Sequence, residues 1–223
     1  MAKPKILCLH GGGTNARIFE AQTARLGMVI RKHFDLVFPD APLESEAGPG
    51  VLPFFEGEEP FRRWHVDSDA EAQNAAHAQQ MEATRKLLIR TIREQGPFVG
   101  VLGFSQGAKT ALELLLLQEE RADEVGIKFA VLACGTVPPA DLLFGQRGEG
   151  EQRAQVVRVP TIHAIADSDP WRPQSEQMPA YCAPEKQRVF RYTATHHLPN
   201  LPAENQALAD LILQVYSEVE GRA

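Results

Sequence analysis

The chain has 223 residues, 43% of them hydrophobic and 23% charged, with a formal net charge of -6. That length and apolar content suit one folded domain, residues 1–223, with a sizeable core, and they exclude a wholly disordered chain. Basic residues are scattered without interleaved aromatics, which argues against a nucleic-acid partner, and no apolar run approaches the roughly 18 residues of a membrane span.

Residues 1–10 start basic, but their apolar part is short and runs into Gly11-Gly12-Gly13, so they read as a first core strand and not as a secretory signal. The cysteines, Cys8, Cys134 and Cys182, form no Cys-x-x-Cys pair and are odd in number. They fit a reducing, cytoplasmic compartment better than a disulfide framework, with Cys8 and Cys134 as packing residues in apolar runs. No metal and no cofactor is expected.

Short continuous apolar runs alternate with longer helical patterns, the way a parallel sheet with helices on both faces is written. The strand candidates are Ile6–Leu9, Leu36–Phe38, Phe98–Leu102, Phe129–Ala133, Thr161–Ala166 and Arg188–Tyr192, predicting a mostly parallel, doubly wound sheet of about six strands. Helical spacing points to helices over 15–32, 71–95, 106–121, 172–180 and 203–219. The helix over 71–95 opens with Ser68-x-x-Glu71, the pattern of a capping box, and the last one carries Leu208, Leu211, Ile212, Val215, Tyr216 and Val219 on one stripe. Two stretches fit neither template and read as lid-like loops. Residues 42–68 are rich in Pro, Gly and Glu yet hold Phe54, Phe55, Phe61 and Trp64. Residues 136–158 combine Pro138-Pro139 and Leu142-Leu143-Phe144 with a polar tract.

The chemistry concentrates where the strand at 98–102 runs into Gly103-Phe104-Ser105-Gln106-Gly107 and a helix follows at once. A G-x-S-x-G match counts in this strand–turn–helix setting, because the serine then occupies a strained turn and side chains on the flanking glycines would collide with strand and helix. Ser105 is thereby set at a helix N-terminus, which favours developing negative charge, and is the candidate nucleophile. Acyl transfer also needs two oxyanion donors. The N–H of Gln106 is one, and the loop His10–Asn15 after the first strand offers Gly12, then Gly13, as the other. A phosphate-binding loop is the lesser reading, since neither G-x-G-x-x-G nor a P-loop Lys-Ser/Thr is present.

In this arrangement an acid follows a late strand and a histidine follows the next one. Asp167 and Asp169 both follow Thr161–Ala166, and His196 and His197 both follow Arg188–Tyr192, so spacing alone leaves each pair open. His163 lies within a strand and reads as a core residue, and His10 as one that orients its loop. A His-Asp metal site could use the same letters but leaves the serine turn without a purpose.

These residues together resemble the "family of serine hydrolases" branch (FSH, or ovarian-cancer-gene-2-like) of the α/β-hydrolase superfamily. The resemblance rests on Leu9-His10-Gly11 with Asn15 and Phe19, Phe38-Pro39-Asp40-Ala41-Pro42, the Gly103–Gly107 elbow, Asp169-Pro170, and His196-x-Leu198-Pro199. It implies the α/β-hydrolase fold, and it selects Asp169 as the acid and His196 as the base. The family's glycines before the histidine are replaced here by Ala194-Thr195, and Ala166 replaces a glycine before the acid. The resemblance further implies a serine esterase or thioesterase of secondary metabolism, acting on a small-molecule ester or thioester whose acyl chain is of medium or long length or a polyketide, with a carrier-protein-bound form of it included. Phe54, Phe55, Phe61 and Trp64, with Leu142, Leu143 and Phe144, are the expected acyl-chain wall, the competing reading being that they close the core under the loops. A short-chain carboxylesterase and a non-catalytic binding protein of the same fold are the alternatives.

Overall fold

Successive residues of a strand face opposite sides of its sheet, so a strand that is apolar throughout can be buried on both. The computed structural model describes residues 2–66, 75–137 and 156–221. Its strands are β1 (Lys5–Leu9), β2 (Asp35–Val37), β3 (Leu43–Glu44), β4 (Arg62–Arg63), β5 (Phe98–Phe104), β6 (Phe129–Ala133), β7 (Thr161–Ala166) and β8 (Gln187–Tyr192). Six of them form one sheet in the order β2-β1-β5-β6-β7-β8, parallel throughout. The helices are α1 (Ala16–Gln22), α2 (Ala24–Ile30), α3 (Ala75–Gln95), α4 (Gln106–Glu120), α5 (Ala122–Val125), α6 (Arg172–Ser175) and α7 (Pro202–Val219).

Alternation along β1 shows how the layers assemble. Ile6 and Cys8 pack into a cluster with Phe19 of α1, Leu26 and Ile30 of α2, and Leu208 and Ile212 of α7. Leu7 and Leu9 face the other way, into a cluster with Leu88 and Ile92 of α3 and Leu112 and Leu115 of α4. Helices therefore cover both faces of a six-stranded sheet, and the inner strands β6 and β7 are buried at every position. Strand order reverses between β1 and β5, whose carboxyl ends lead into the glycine loop and the serine turn. A crevice at such a reversal is where open α/β sheets bind ligands.

Three elements depart from the sequence reading. The helix over 15–32 is two helices, broken at Thr23, whose hydroxyl turns back to the carbonyls of Phe19 (2.8 Å) and Glu20 (3.1 Å). The helix over 172–180 is the single turn α6 followed by a 3₁₀ turn over Met178–Tyr181, with prolines at Pro173 and Pro179 in the first positions of each. The stretch 42–68 carries β3 and β4, an antiparallel pair of two residues each, too short to leave a periodic signal. The Ser68–Glu71 cap, and Leu142, Leu143 and Phe144 of the second irregular stretch, lie outside the described residues. Among the described residues, no helix is long and apolar enough to cross a membrane.

Candidate active site

The turn after β5 is built as its glycines require. Ser105 sits at φ 54° and ψ -118°, in the left-handed half of backbone space that an L-residue occupies only under constraint. A Cβ on Gly103 would lie 2.3 Å from the carbonyl oxygen of Gly107, and one on Gly107 would lie 2.1 Å from that of Leu9. Strand and helix thus approach too closely for any side chain, and the strained serine is held by Ser105 N–H donating to Ala133 O at 2.9 Å.

His196 Nε2 lies 2.9 Å from Ser105 Oγ, and His196 Nδ1 lies 2.8 Å from Asp169 Oδ2. The other carboxylate oxygen, Oδ1, accepts the Trp171 backbone N–H at 2.8 Å, and the Asp169 side chain has no solvent exposure. With Oδ2 accepting Nδ1–H, the imidazole presents an unprotonated Nε2 to the serine hydroxyl, the tautomer that can take its proton. The ring is wedged between aromatic faces, with Trp171 at 4.5 Å and Phe104 at 5.0 Å between centroids. His197 turns its Nδ1 to the Leu198 carbonyl at 2.7 Å, outside the Ser105–His196–Asp169 line. Asp167 is directed outward to Arg191 at 3.7 Å, while its backbone N–H donates to Tyr192 O.

The histidine loop has a further anchor that sequence reasoning passed over. Tyr192, at the end of β8, is buried and donates its hydroxyl hydrogen to His197 O at 2.8 Å. That hydrogen being used, the contact of 3.0 Å between Tyr192 Oη and Cys134 Sγ is a thiol donation from Cys134. Burial pushes the Cys134 thiol up to about 12, so it stays protonated and inert, a packing residue as expected. Position at the carboxyl ends of β6 and β8 was the available signal for both.

Opposite the triad geometry lies the glycine loop. His10 is fully buried, with Nε2 accepting the Ala41 N–H at 3.0 Å and Nδ1–H donating to Gly11 O at 2.8 Å. Burial lowers its pKa to about 4, so it is neutral and orients the loop, as its sequence position suggested. Asp40 of the Pro-Asp-Ala-Pro segment accepts the Ala16 N–H at 2.8 Å, and Asn15 caps α1 through Ile18 N–H at 2.9 Å. Gly13 N–H donates to Arg62 O at 2.9 Å, which leaves Gly12 as the loop's candidate oxyanion donor. A Cβ on Gly12 would stand 3.2 Å from the side chain of Gln106, so the two donor candidates are neighbours. Gln106 heads α4, and the N–H groups of a helix's first turn have no intrahelical acceptor.

The aromatic wall needs correction. Phe54 and Phe55 line a cleft of about 1110 Å³ that also opens onto Gly12, Ser105 and His196. Phe61 does not reach it, being 6% exposed and packed with Ile18 and Val51 in a small cluster of its own. Trp64 is wholly buried beneath the loop: its indole N–H donates to His10 O at 2.8 Å and its backbone N–H to Gln106 Oε1 at 2.8 Å. An indole so deep requires a partner for its N–H, and the His10 carbonyl supplies one. Trp64 and Phe61 are therefore supports of the site and not its surface. His163 is buried with Nε2 3.0 Å from Thr161 Oγ1, a core residue as expected. The closest group of metal-type donors among the described residues, Cys134, Asp169 and His196, is the acid–histidine pair itself with the thiol behind it.

Comparison with known proteins gives the same answer. Residues 1–208 match the family "Serine hydrolase (FSH1)". "Esterase FUS5" of Gibberella moniliformis is 37% identical over 216 residues, covering 96% of this chain and 88% of its own length. "Thioesterase FSL2" of Gibberella zeae is 31% identical over 238 residues, covering 97% and 94%. Among solved structures, Zea mays acyl-protein thioesterase 2 superposes with a TM-score of 0.62 at 20% identity, covering 97% of this chain and 95% of its own. A carboxylesterase from Mesorhizobium loti gives 0.64 at 13%, covering 96% and 90%. The two structures speak for the α/β-hydrolase fold alone, whereas the sequence matches decide the kinship. This chain belongs to the FSH1 family of serine hydrolases.

Proposed function

We propose that the protein is an esterase or thioesterase that releases a carboxylic acid from a medium or long acyl chain, including a polyketide thioester presented by a carrier protein. The observation that carries this reading is the Asp169–His196–Ser105 line, with its bonds of 2.8 and 2.9 Å, opening into a cleft bordered by Phe54, Phe55, Val51 and Leu198. His196 takes the hydroxyl proton as Ser105 Oγ attacks the carbonyl carbon. The N–H groups of Gly12 and Gln106 hold the oxyanion, and collapse of the tetrahedral intermediate expels the thiol or alcohol, protonated by His196. Water deprotonated by His196 then attacks the acyl-enzyme and frees the acid, returning the proton to Ser105. Asp169 holds the tautomer and balances the imidazolium charge.

The names of the relatives, esterase and thioesterase, support both leaving groups. We read residues 1–223 as one domain whose segment 42–68 forms the acyl-facing wall. The buried, unbridged cysteines support a reducing, cytoplasmic setting. The test is a series of p-nitrophenyl esters and acyl-pantetheine thioesters from acetyl to dodecanoyl. We expect kcat/KM to rise with length to a medium chain, by up to about 0.8 kcal/mol per methylene, and to rise less steeply in Phe55→Ala. Ser105→Ala should abolish turnover of every member. A preference for acetyl over octanoyl would exclude the long-chain wall and leave a short-chain carboxylesterase.

A further inference from the structure

Arg63, on the wall of the active-site cleft, meets no counter-charge among the described residues. It forms β4 with Arg62, and adjacent strand residues face opposite sides. Arg62 turns to the Ala41 carbonyl at 3.5 Å, whereas Arg63 lines the cleft that holds Ser105 and His196. Arg63 is partly buried, yet its side chain makes no hydrogen bond or ion pair with any described residue. Elsewhere the pattern differs. Arg17, Arg31, Arg85, Arg158, Arg172, Arg188 and Arg191 each meet a carboxylate. Among the described residues Arg90 and Arg93 lack a partner too, but they are exposed. Glu46, the acidic residue among the described lining of the cleft, is exposed and forms no ion pair with Arg63.

A guanidinium on the wall of a cleft finds its best acceptors in carboxylate and phosphate oxygens, which it can hold in pairs. Its place in the chain makes it useful: the next residue, Trp64, donates its backbone N–H to Gln106 Oε1, so Arg63 is fixed one residue from the group beside the serine. We infer that Arg63 is a specificity determinant that binds an anionic group of the substrate, a carboxylate or a phosphate, set apart from the scissile carbonyl. The inference rests on the esterase or thioesterase reading and narrows its substrate class. Two sources carry that chemistry, a carboxylate on the acyl chain and the phosphate of a phosphopantetheine leaving group.

Two matched substrate pairs distinguish them. The first compares the p-nitrophenyl ester of an acyl chain ending in carboxylate with the ester of the same chain ending in its methyl ester. The second compares octanoyl-4′-phosphopantetheine with octanoyl-pantetheine. The wild type should favour the anionic member of one pair by about 10-fold or more in kcat/KM, mainly through KM, and less so at high salt. Arg63→Met should reduce that ratio to near unity, and Arg63→Lys should restore part of it. An Arg63-dependent ratio in the first pair assigns the anion to the acyl chain, and in the second to the leaving group. Ratios that Arg63→Met leaves unchanged in both pairs overturn the inference. Turnover of the neutral octanoyl ester, and its loss in Ser105→Ala, checks the underlying reading separately.

Discussion

Ser105, Asp169 and His196 stand at the ends of the parallel strands β5, β7 and β8, whereas the facing segment, residues 43–66, holds strands of two residues each and reaches the sheet through the glycine loop and Gln106. On the first side every functional group is fixed from more than one direction. Asp169 is held through both carboxylate oxygens, and His196 by two hydrogen bonds and two aromatic rings. On the second side backbone bonds dominate: Gly13 N–H to Arg62 O, Gly48 N–H to Gly13 O and Arg62 N–H to Thr14 O, with Phe54 left 85% exposed at the rim. We propose different work for the two: the chemistry, which needs positions held to within tenths of an ångström, on the buried strand ends, and substrate choice on the facing segment.

The sharpest break between the two sides should come from adjacent histidines. His196→Ala should lower kcat/KM by about 10⁵-fold or more, and His197→Ala by no more than about 10-fold, mostly through KM, since that ring lines the cleft. Asp169→Asn should cost about 10⁴-fold, because it supports the wrong tautomer, against little for Asp167→Asn. Steady-state kinetics on one octanoyl ester reads all four, and a reversed ranking in either pair would move that role to the neighbour.

Gln106 joins the two sides, so its loss should affect both. Its Oε1 accepts Trp64 N–H at 2.8 Å and its Nε2 donates to His65 O at 3.0 Å. Gln106→Met keeps the volume but deprives two buried backbone groups of these bonds, at about 1–3 kcal/mol each. Urea unfolding should show that loss, with a flatter chain-length dependence of kcat/KM. Wild-type stability would mean that the segment is held in some other way.

The smallest effect lies in the pH dependence of stability. Burial lowers His10 and His163 from an ordinary 6.5 to about 4. Between those values the unfolded chain binds protons that the folded chain refuses. Each histidine's contribution is therefore complete above about pH 6.5 and falls as pH drops, by at most about 1.4 kcal/mol per unit, levelling below pH 4. His163→Leu should flatten the fall in Tm between pH 6.5 and 5 relative to wild type. An unchanged slope would mean that His163 is not held neutral.

The sheet and the serine turn were readable in advance because their causes are local. An apolar run marks a strand buried on both faces, and Gly103 and Gly107 are required by contacts within a few residues of Ser105 and with the adjoining strand. The acid and base were readable as pairs, Asp167 or Asp169 and His196 or His197, and family resemblance chose between them. Geometry supplies the physical reason: Asp169 is enclosed and Asp167 faces Arg191. The segment 42–68 is legible as aromatic, but the sequence does not tell which of its rings line the cleft and which close the core. An aromatic residue in an irregular stretch looks the same whether it lines a cleft or fills a core. What buried Trp64 is a carbonyl 54 residues away, at His10, and no local pattern encodes that distance.

The proposed reaction requires that Ser105, activated by His196, carry the acyl group. Fluorophosphonate labelling with peptide mapping tests it most directly, because the reagent phosphonylates an activated serine and stays attached. One adduct is expected, on Ser105, formed in step with the loss of esterase activity, absent in Ser105→Ala and at least about 10³-fold slower in His196→Ala. An adduct on another residue that tracks inactivation, or full activity in protein labelled at Ser105, would contradict it.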